Sequence, residues 1–457
     1  MNITSPIDQS IYKTVQLHSK DQALDAVEKS SLAQKLWKKV PLSERIRIVS
    51  SFVSHFVADK EDIATELSWL IGRPRKQNFN EINGVETRAK HMISIAEESL
   101  KDTVIEESDQ FTRYMSRDPV GVVFIIAAWN YPYLVSVNGV VPAILAGNSV
   151  ILKQAPQTFP CADRFFTAFK KAGLPDGVFQ VLHIDHPTAE LVIKNPLVGY
   201  IHFTGSVRGG RAVNKLASER FITVGLELGG KDPAYVREDA DPKFVAEQLI
   251  DGAMYNSGQS CCGIERIYVH EKVYDDFIKY AAETVSLYNL GLPFDEATNL
   301  GPVVTIHSAN LIREQIADAV SKGATLLVDQ KQFPMAKEGT PFVAPQVLVN
   351  VNHSMKVMKE ETFGPIVGVM KVKSDEEAIQ LMNDSDFGLT ACVWTKDITK
   401  GHEIGKQLET GTFFVNRCDY LDPSLAWIGV KDSGRGCTLG KYGFDQLTRP
   451  KSYHLRK

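Results

Sequence analysis

At 457 residues, 44% hydrophobic and 23% charged, the chain is long enough for two or three domains around a large buried core. Its net charge of −4 is spread along the sequence, so no basic stripe argues for nucleic acid or an anionic membrane surface, and the most apolar stretch, residues 120–128, is far too short to span a bilayer. The start Met1-Asn2-Ile3-Thr4-Ser5-Pro6 lacks an export pattern, and the six scattered cysteines form no CxxC pair, so a cytoplasmic, reduced protein without a metal site is expected.

Residues 20–102 carry helical spacing. Leu24, Val27, Leu32, Leu36 and Trp37 recur first. Ile46, Ile48, Val49, Phe52 and Phe56 follow Pro41, whose fixed φ suits a helix start, and Met92, Ile93, Ile95 and Ala96 mark a third pattern. Residues 104–118 mix β-favouring and charged residues, as in an exposed hairpin. Apolar runs at 122–127, 149–152, 178–182 and 200–203 read as strands buried on both faces. Helical patterns at 134–145, 161–172, 188–193 and 210–217 separate them. This alternation predicts an α/β fold with a parallel, doubly wound sheet. A second α/β pattern follows Gly230, with helices at 244–255, 273–285, 307–320 and 375–381. Its strands are expected at 267–269, 342–349, 366–372 and 390–394, and residues 447–455 are strand-like and polar.

Two short runs carry the most chemistry. Cys261 lies in the small, polar stretch Asn256-Ser257-Gly258-Gln259-Ser260-Cys261-Cys262, 34 positions after Glu227. Glu227 ends an apolar strand and opens Glu227-Leu228-Gly229-Gly230-Lys231. A thiol beside a positioned base is the minimum for covalent catalysis on a carbonyl. On the residues alone, either Cys261 or Cys262 could react, with Cys262 pointing elsewhere if the loop is extended. The functional reading of Glu227 is a general base raised by burial, and its alternative is a buried ion pair with a partner such as Lys231.

Trp129-Asn130-Tyr131-Pro132 and Lys153 close two of the strands, where ligands of open α/β sheets gather. On local grounds Asn130 reads first as a helix cap and Lys153 as a solvated strand end. Phe203-Thr204-Gly205-Ser206 is a small-residue turn into a helix, where a phosphate can approach, although it is not GxGxxG. In Glu360-Glu361-Thr362-Phe363-Gly364-Pro365 a carboxylate could hold ribose hydroxyls, with an ordinary turn as the blander reading.

Taken in this order, and with Val415-Asn416 and Lys431-Asp432-Ser433-Gly434, these segments resemble the aldehyde dehydrogenase superfamily over nearly the whole chain. The resemblance implies Cys261 as nucleophile, Glu227 as general base, and Asn130 with the Cys261 backbone N–H as oxyanion donors. It implies a Rossmann-like site for NAD or NADP formed by Trp129, Lys153, Thr204, Gly205, Ser206, Leu228, Gly229, Glu361 and Phe363. In it Lys153 and Glu361 would hold riboses, Ser206 the pyrophosphate, and Trp129 and Phe363 the nicotinamide end. The substrate funnel would comprise Tyr131, Val135, Asn138, Tyr255, Ser260, Cys262, Asp419, Leu421 and Trp427, suiting a medium-sized or aromatic aldehyde or a semialdehyde. Arg417 could bind a distal carboxylate, or simply be exposed.

The same resemblance divides the chain into a cofactor domain (1–103 and 119–227), a catalytic domain (228–430) and an oligomerisation element (104–118 and 431–457), expected in a homodimer or homotetramer. Departures from the family pattern matter. Pro156 stands where many NAD-preferring members carry a glutamate, and proline can neither accept ribose hydrogen bonds nor repel a 2′-phosphate. Arg208 could pair with such a phosphate, so use of both cofactors is expected. Ala128 replaces the usual proline before the tryptophan, and Ala426-Trp427-Ile428-Gly429 replaces Pro-Phe-Gly-Gly. Glu227 favours release of free acid over transfer to CoA, because CoA-acylating members generally lack that base.

Overall fold

The computed structural model describes residues 1–457. Four helices, Lys20–Trp37, Leu42–Ala58, Lys60–Ile71 and Arg75–Leu100, fill the helical N-terminal region. Lys20–Trp37 sends Ala23, Ala26 and Val27 to one face and Trp37 to the other, and the remaining three helices join Trp37 on that second face of a six-stranded sheet. Its order is Gly434–Arg435, Thr223–Glu227, Val198–Thr204, Val122–Ile126, Ser149–Lys153, Phe179–Val181, and only Gly434–Arg435 runs antiparallel to its neighbour.

Both faces of this sheet are covered, which is why its strands read as unbroken apolar runs. Val123 and Ile125 join the core formed with Trp37, Phe52 and Phe56. Val122 and Phe124 point the other way, against Ile193, Val213 and Leu226. The chain starts at the central strand Val122–Ile126, moves out through Ser149–Lys153 and Phe179–Val181, then returns to lay Val198–Thr204 on the other side. That reversal is a topological switch point, and a crevice opens outside the strand ends there.

The second half of the chain builds a seven-stranded sheet. The order is Thr325–Leu326, Gln346–Val349, Ile366–Val372, Ile264–His270, Asp232–Val236, Thr390–Trp394, Thr412–Val415, parallel throughout except at the Thr325–Leu326 edge. Separate apolar cores cover its two faces. The strands Asp232–Val236 and Thr412–Val415 lie outside the sequence expectation. Pro233 masks the first, and a register shift between Asp232 and Pro233 lets the ring sit in a central strand. The strand expected from residue 342 begins only at Gln346, directly after Pro345.

Thr103–Glu107, Phe111–Pro119 and Thr448–Arg456 form a largely exposed three-stranded antiparallel sheet, with Tyr114 stacked on Tyr453 at 4.6 Å. Residues 434–435 lie elsewhere, paired with Glu227 and Leu226 at the edge of the first sheet. No helix is long and apolar enough to cross a membrane.

Candidate active site

Three strand ends of the first sheet and one loop of the second half converge. Thr223–Glu227 delivers Glu227, half-buried, at its carboxyl end. Thr438 Oγ1 donates to Glu227 Oε1 at 2.5 Å, and Thr204 Oγ1 to Oε2 at 3.4 Å. Lys231 is not its partner. That ammonium is fully buried and bonds Glu265 at 2.6 Å and Thr362 Oγ1 at 3.0 Å. The ion-pair reading of Glu227 is therefore replaced, because Lys231 is committed to Glu265 and Thr362 and the Glu227 carboxylate to two threonine hydroxyls.

The cysteine loop is held in a conformation that side chains rarely adopt. Asn256, Ser257 and Gly258 all have positive φ, at 54°, 57° and 72°. Three contacts fix the turn. Arg73 Nε donates to Asn256 Oδ1 at 2.9 Å, Ser257 Oγ to the Gly301 carbonyl at 2.8 Å, and the Val304 N–H to Gln259 Oε1 at 2.8 Å. Gly258 is needed twice over, since a Cβ there would lie 2.1 Å from the Gly364 oxygen.

This turn keeps Cys261 half-exposed and Cys262 buried. The backbone turns at these residues instead of extending, so both thiols line the same cavity. Cys262 Sγ donates to Asp419 Oδ1 at 3.1 Å, as does Ser260 Oγ at 3.1 Å. Contact with Cys261, then burial, pushes the Cys262 thiol well above its ordinary value. Burial pushes the Asp419 carboxyl up to about 6.

Asn130 is buried just beyond the Val122–Ile126 strand, and Pro132 opens the next helix. Its Nδ2 donates to the Gln259 carbonyl at 3.2 Å, which ties the amide to the cysteine loop. Its own carbonyl accepts from Arg73 and Asn256.

Tyr131, Val135, Asn138, Tyr255, Ser260, Cys262, Asp419, Leu421 and Trp427 line a cavity of about 400 Å³ together with Cys261, Glu227 and Thr204. Thr204 thus faces Glu227 and this cavity. Arg417 stays outside it, exposed, with its guanidinium 3.5 Å above the Tyr420 ring.

The remaining residues of the expected cofactor set lie along the switch-point side. Trp129 and Phe363 meet edge to face at 5.5 Å, and Phe363 has a positive φ of 52°. Glu265 fixes that loop by accepting from the Thr362 and Phe363 N–H groups at 2.8 and 2.9 Å. Glu361 accepts from the Gly230 N–H at 3.0 Å, and a Cβ on Gly229 would fall 2.5 Å from its carboxylate. Burial, then repulsion from Glu265, pushes the Glu361 carboxyl up to about 8. Lys153 is buried with one weak partner, the Gln154 carbonyl at 3.4 Å, and burial lowers its ammonium to about 8. Ser206 caps the helix Val207–Ala217 through the Gly209 N–H, while Gly205 packs on Phe203 and Leu228 on Gly210. Arg208 is exposed, and Pro156 opens a single 3₁₀ turn.

Four contributors escape sequence reasoning: Thr438, Glu265, Arg73 and Arg88. Each is a single residue whose contact with the site comes from far along the chain, so no local pattern marks it.

Comparison with known proteins gives the family. The model of the aldehyde dehydrogenase family matches residues 1–453. An aldehyde dehydrogenase-like protein of Schizosaccharomyces pombe is 32% identical over 453 residues, 98% of this chain and 91% of its own length. Retinal dehydrogenase 2 of Rattus norvegicus is 32% identical over 439 residues, 95% of this chain and 84% of its own. Among solved structures, the NADP-dependent glyceraldehyde-3-phosphate dehydrogenase of Bacillus halodurans, complexed with NADP, superposes with a TM-score of 0.94 at 31% identity. That alignment covers 100% of this chain and 95% of the other. The chain belongs to the aldehyde dehydrogenase family. It is an NAD(P)-dependent aldehyde dehydrogenase.

Proposed function

We propose that this enzyme oxidises an aldehyde to the free carboxylic acid through a covalent adduct on Cys261. The observation that carries this reading is the shared cavity. It holds one half-exposed thiol on a rigid left-handed turn and one carboxylate anchored by two threonine hydroxyls.

The Cys261 thiolate attacks the aldehyde carbon to give a thiohemiacetal. The new alkoxide is met by the Asn130 amide and the Cys261 backbone N–H, donors of a kind whose single loss costs about 10²–10³ in rate. A bound nicotinamide supplies the oxidising equivalent. Cys261 then carries an acyl thioester. Glu227 takes a proton from water as it attacks that thioester, and Cys261 departs as thiolate with the free acid.

The chain's residues fit the cofactor. Lys153 is a buried ammonium with a single weak acceptor, so its donors are available to a ribose. Ser206 caps a helix N-terminus suited to a pyrophosphate, and the Trp129–Phe363 pair offers an apolar wall for a ring. With Pro156 and the exposed Arg208, nothing at the adenosine end selects against a 2′-phosphate, so both NAD and NADP serve.

We also assign residues 1–103 and 119–227 to cofactor binding, 228–430 to catalysis, and 104–118 with 431–457 to oligomerisation, except that 434–435 pair at the edge of the first sheet and Thr438 bonds Glu227. Support for the last comes from the exposed nine-residue strand Thr448–Arg456, whose outer edge is unpaired and open to a strand of another copy in a dimer or tetramer.

Absorbance at the reduced-nicotinamide band tests the reaction. Short, long, aromatic and ω-carboxyl aldehydes would be offered with NAD and with NADP, each with and without CoA. Signal without CoA that vanishes in Cys261→Ala supports the scheme. Signal only with CoA moves the reading to an acylating enzyme.

A further inference from the structure

Twenty residues line the cavity, and Arg88 is the one basic residue among them. It sits on the helix Arg75–Leu100 and is 8% exposed. Every carboxylate in the cavity is engaged elsewhere. Glu81 is taken by Arg73 at 2.6 Å and by the Tyr133 and Leu134 N–H groups at 2.8 and 3.2 Å. Glu227 accepts from Thr438 and Thr204, and Asp419 from Ser260 and Cys262.

Arg88 forms no salt bridge. Its hydrogen bonds run through Nη1 alone, to Asn138 Oδ1 at 3.0 Å and the Leu134 carbonyl at 3.4 Å. Nε and Nη2 are left without a protein acceptor. Asn138 is likewise buried, and because its oxygen accepts from Arg88, its amide N–H groups are turned away from Arg88 and have no protein acceptor either. A buried guanidinium without a counter-ion is costly, and the donor set it shares with Asn138 matches the oxygens of a carboxylate.

We propose that Arg88, with Asn138 beside it, recognises a carboxylate at the far end of the substrate, so that the preferred aldehydes are ω-oxoacids. This inference rests on the aldehyde-oxidising reading of the same cavity. Arg88 acts as a specificity residue. Burial lowers the guanidinium from its ordinary value, and Glu227, Cys262 and Glu81 only partly offset this, as expected for a buried cation that lacks its counter-ion.

The test pairs each ω-oxoacid with its neutral counterpart: 4-oxobutanoate against butanal and 5-oxopentanoate against pentanal, in wild type, Arg88→Met and Arg88→Lys. Calorimetric binding of glutarate, which cannot be oxidised here, reads the carboxylate site without turnover. Loss of a charge-assisted hydrogen bond predicts that Arg88→Met lowers kcat/KM for the oxoacids about 10- to 100-fold. The neutral aldehydes should change less than about threefold, Arg88→Lys should fall between, and glutarate binding should disappear with Arg88→Met.

Equal losses on both members of a pair, with a shifted pH profile, would mean that Arg88 acts through Glu227, and would overturn the proposal while leaving the dehydrogenase intact. If no aldehyde is oxidised but glutarate binding still depends on Arg88, the dehydrogenase reading fails and the carboxylate site stands. If Arg88→Met melts early, Arg88→Lys on the matched pairs decides: oxoacid preference unchanged from wild type, with glutarate binding equally unchanged, overturns the bidentate recognition.

Discussion

Thr438 Oγ1 lies 2.5 Å from Glu227 Oε1, joining residues 211 positions apart. With Thr204 on the other oxygen, the carboxylate is clamped at both ends. On the proposed mechanism, replacing Glu227 by Gln removes the base for thioester hydrolysis but leaves Cys261 able to form the adduct. A single burst of reduced nicotinamide is therefore expected, followed by a steady state slower by about 10²–10⁴. Thr438→Val frees one carboxylate oxygen and should slow only the steady state, by about tenfold for the loss of one hydrogen bond to a charge. Stopped-flow absorbance separates burst from steady state. A Glu227→Gln enzyme with neither burst nor turnover would place Glu227 before the adduct.

Gly258 carries a second prediction. Its φ of +72° and the Gly364 oxygen 2.1 Å from a built Cβ leave no room for alanine. Gly258→Ala must push the cysteine loop away from the Phe363 loop, costing about 3 kcal/mol or more from strain and overpacking together. Gly323 has φ of +101° with open space around it, so Gly323→Ala should cost only about 1 kcal/mol. Melting temperatures and turnover of the two variants check this. Equal, small losses in both would mean that the two loops are not locked together.

Cofactor affinity should depend on pH in a bell shape centred near 8. Lys153 is lowered to about 8, so its charge is present below that pH and lost above it. Glu361 is raised to about 8, so its carboxylate is present above that pH and lost below it. Ribose binding by both groups, as proposed above, needs the form with Lys153 charged and Glu361 ionised. Glu361→Gln should keep only the limb that falls with rising pH, and Lys153→Met only the limb that rises. Fluorescence titration of NAD and NADP across pH 6–10 would show it. A flat profile in the wild type would remove both residues from the ribose contacts.

Much of the site is readable from local pattern because strand ends in an open α/β sheet are where function gathers. Asn130, Lys153, Thr204 and Glu227 each close an apolar run, and the structure puts all four at the carboxyl ends of parallel strands. What is hidden obeys other rules. Asp232–Val236 contains a proline that ordinarily argues against a central strand. Lys231 stands four residues from Glu227, yet its partner Glu265 lies 34 residues on, at the start of the strand Ile264–His270 in the other sheet. Thr438 and Arg88 are set by tertiary packing alone.

The Arg73–Glu81 ion pair gives the last prediction. Both side chains are fully buried, 2.6 Å apart. Arg73 also holds Asn256 Oδ1 and the Asn130 carbonyl, so one guanidinium supports both the cysteine loop and Asn130. Removing one partner strands the other charge in a dry interior, at a cost of about 3–5 kcal/mol. Arg73→Met should therefore melt earlier than wild type and lose Asn256's restraint. Where it stays folded, Cys261 should lose its defined position and turnover should fall further than stability alone explains. The double variant Arg73→Met with Glu81→Gln removes both charges, so it should recover much of the melting temperature but not the activity. Recovery of both together would show that the pair only stabilises the fold and does not shape the site.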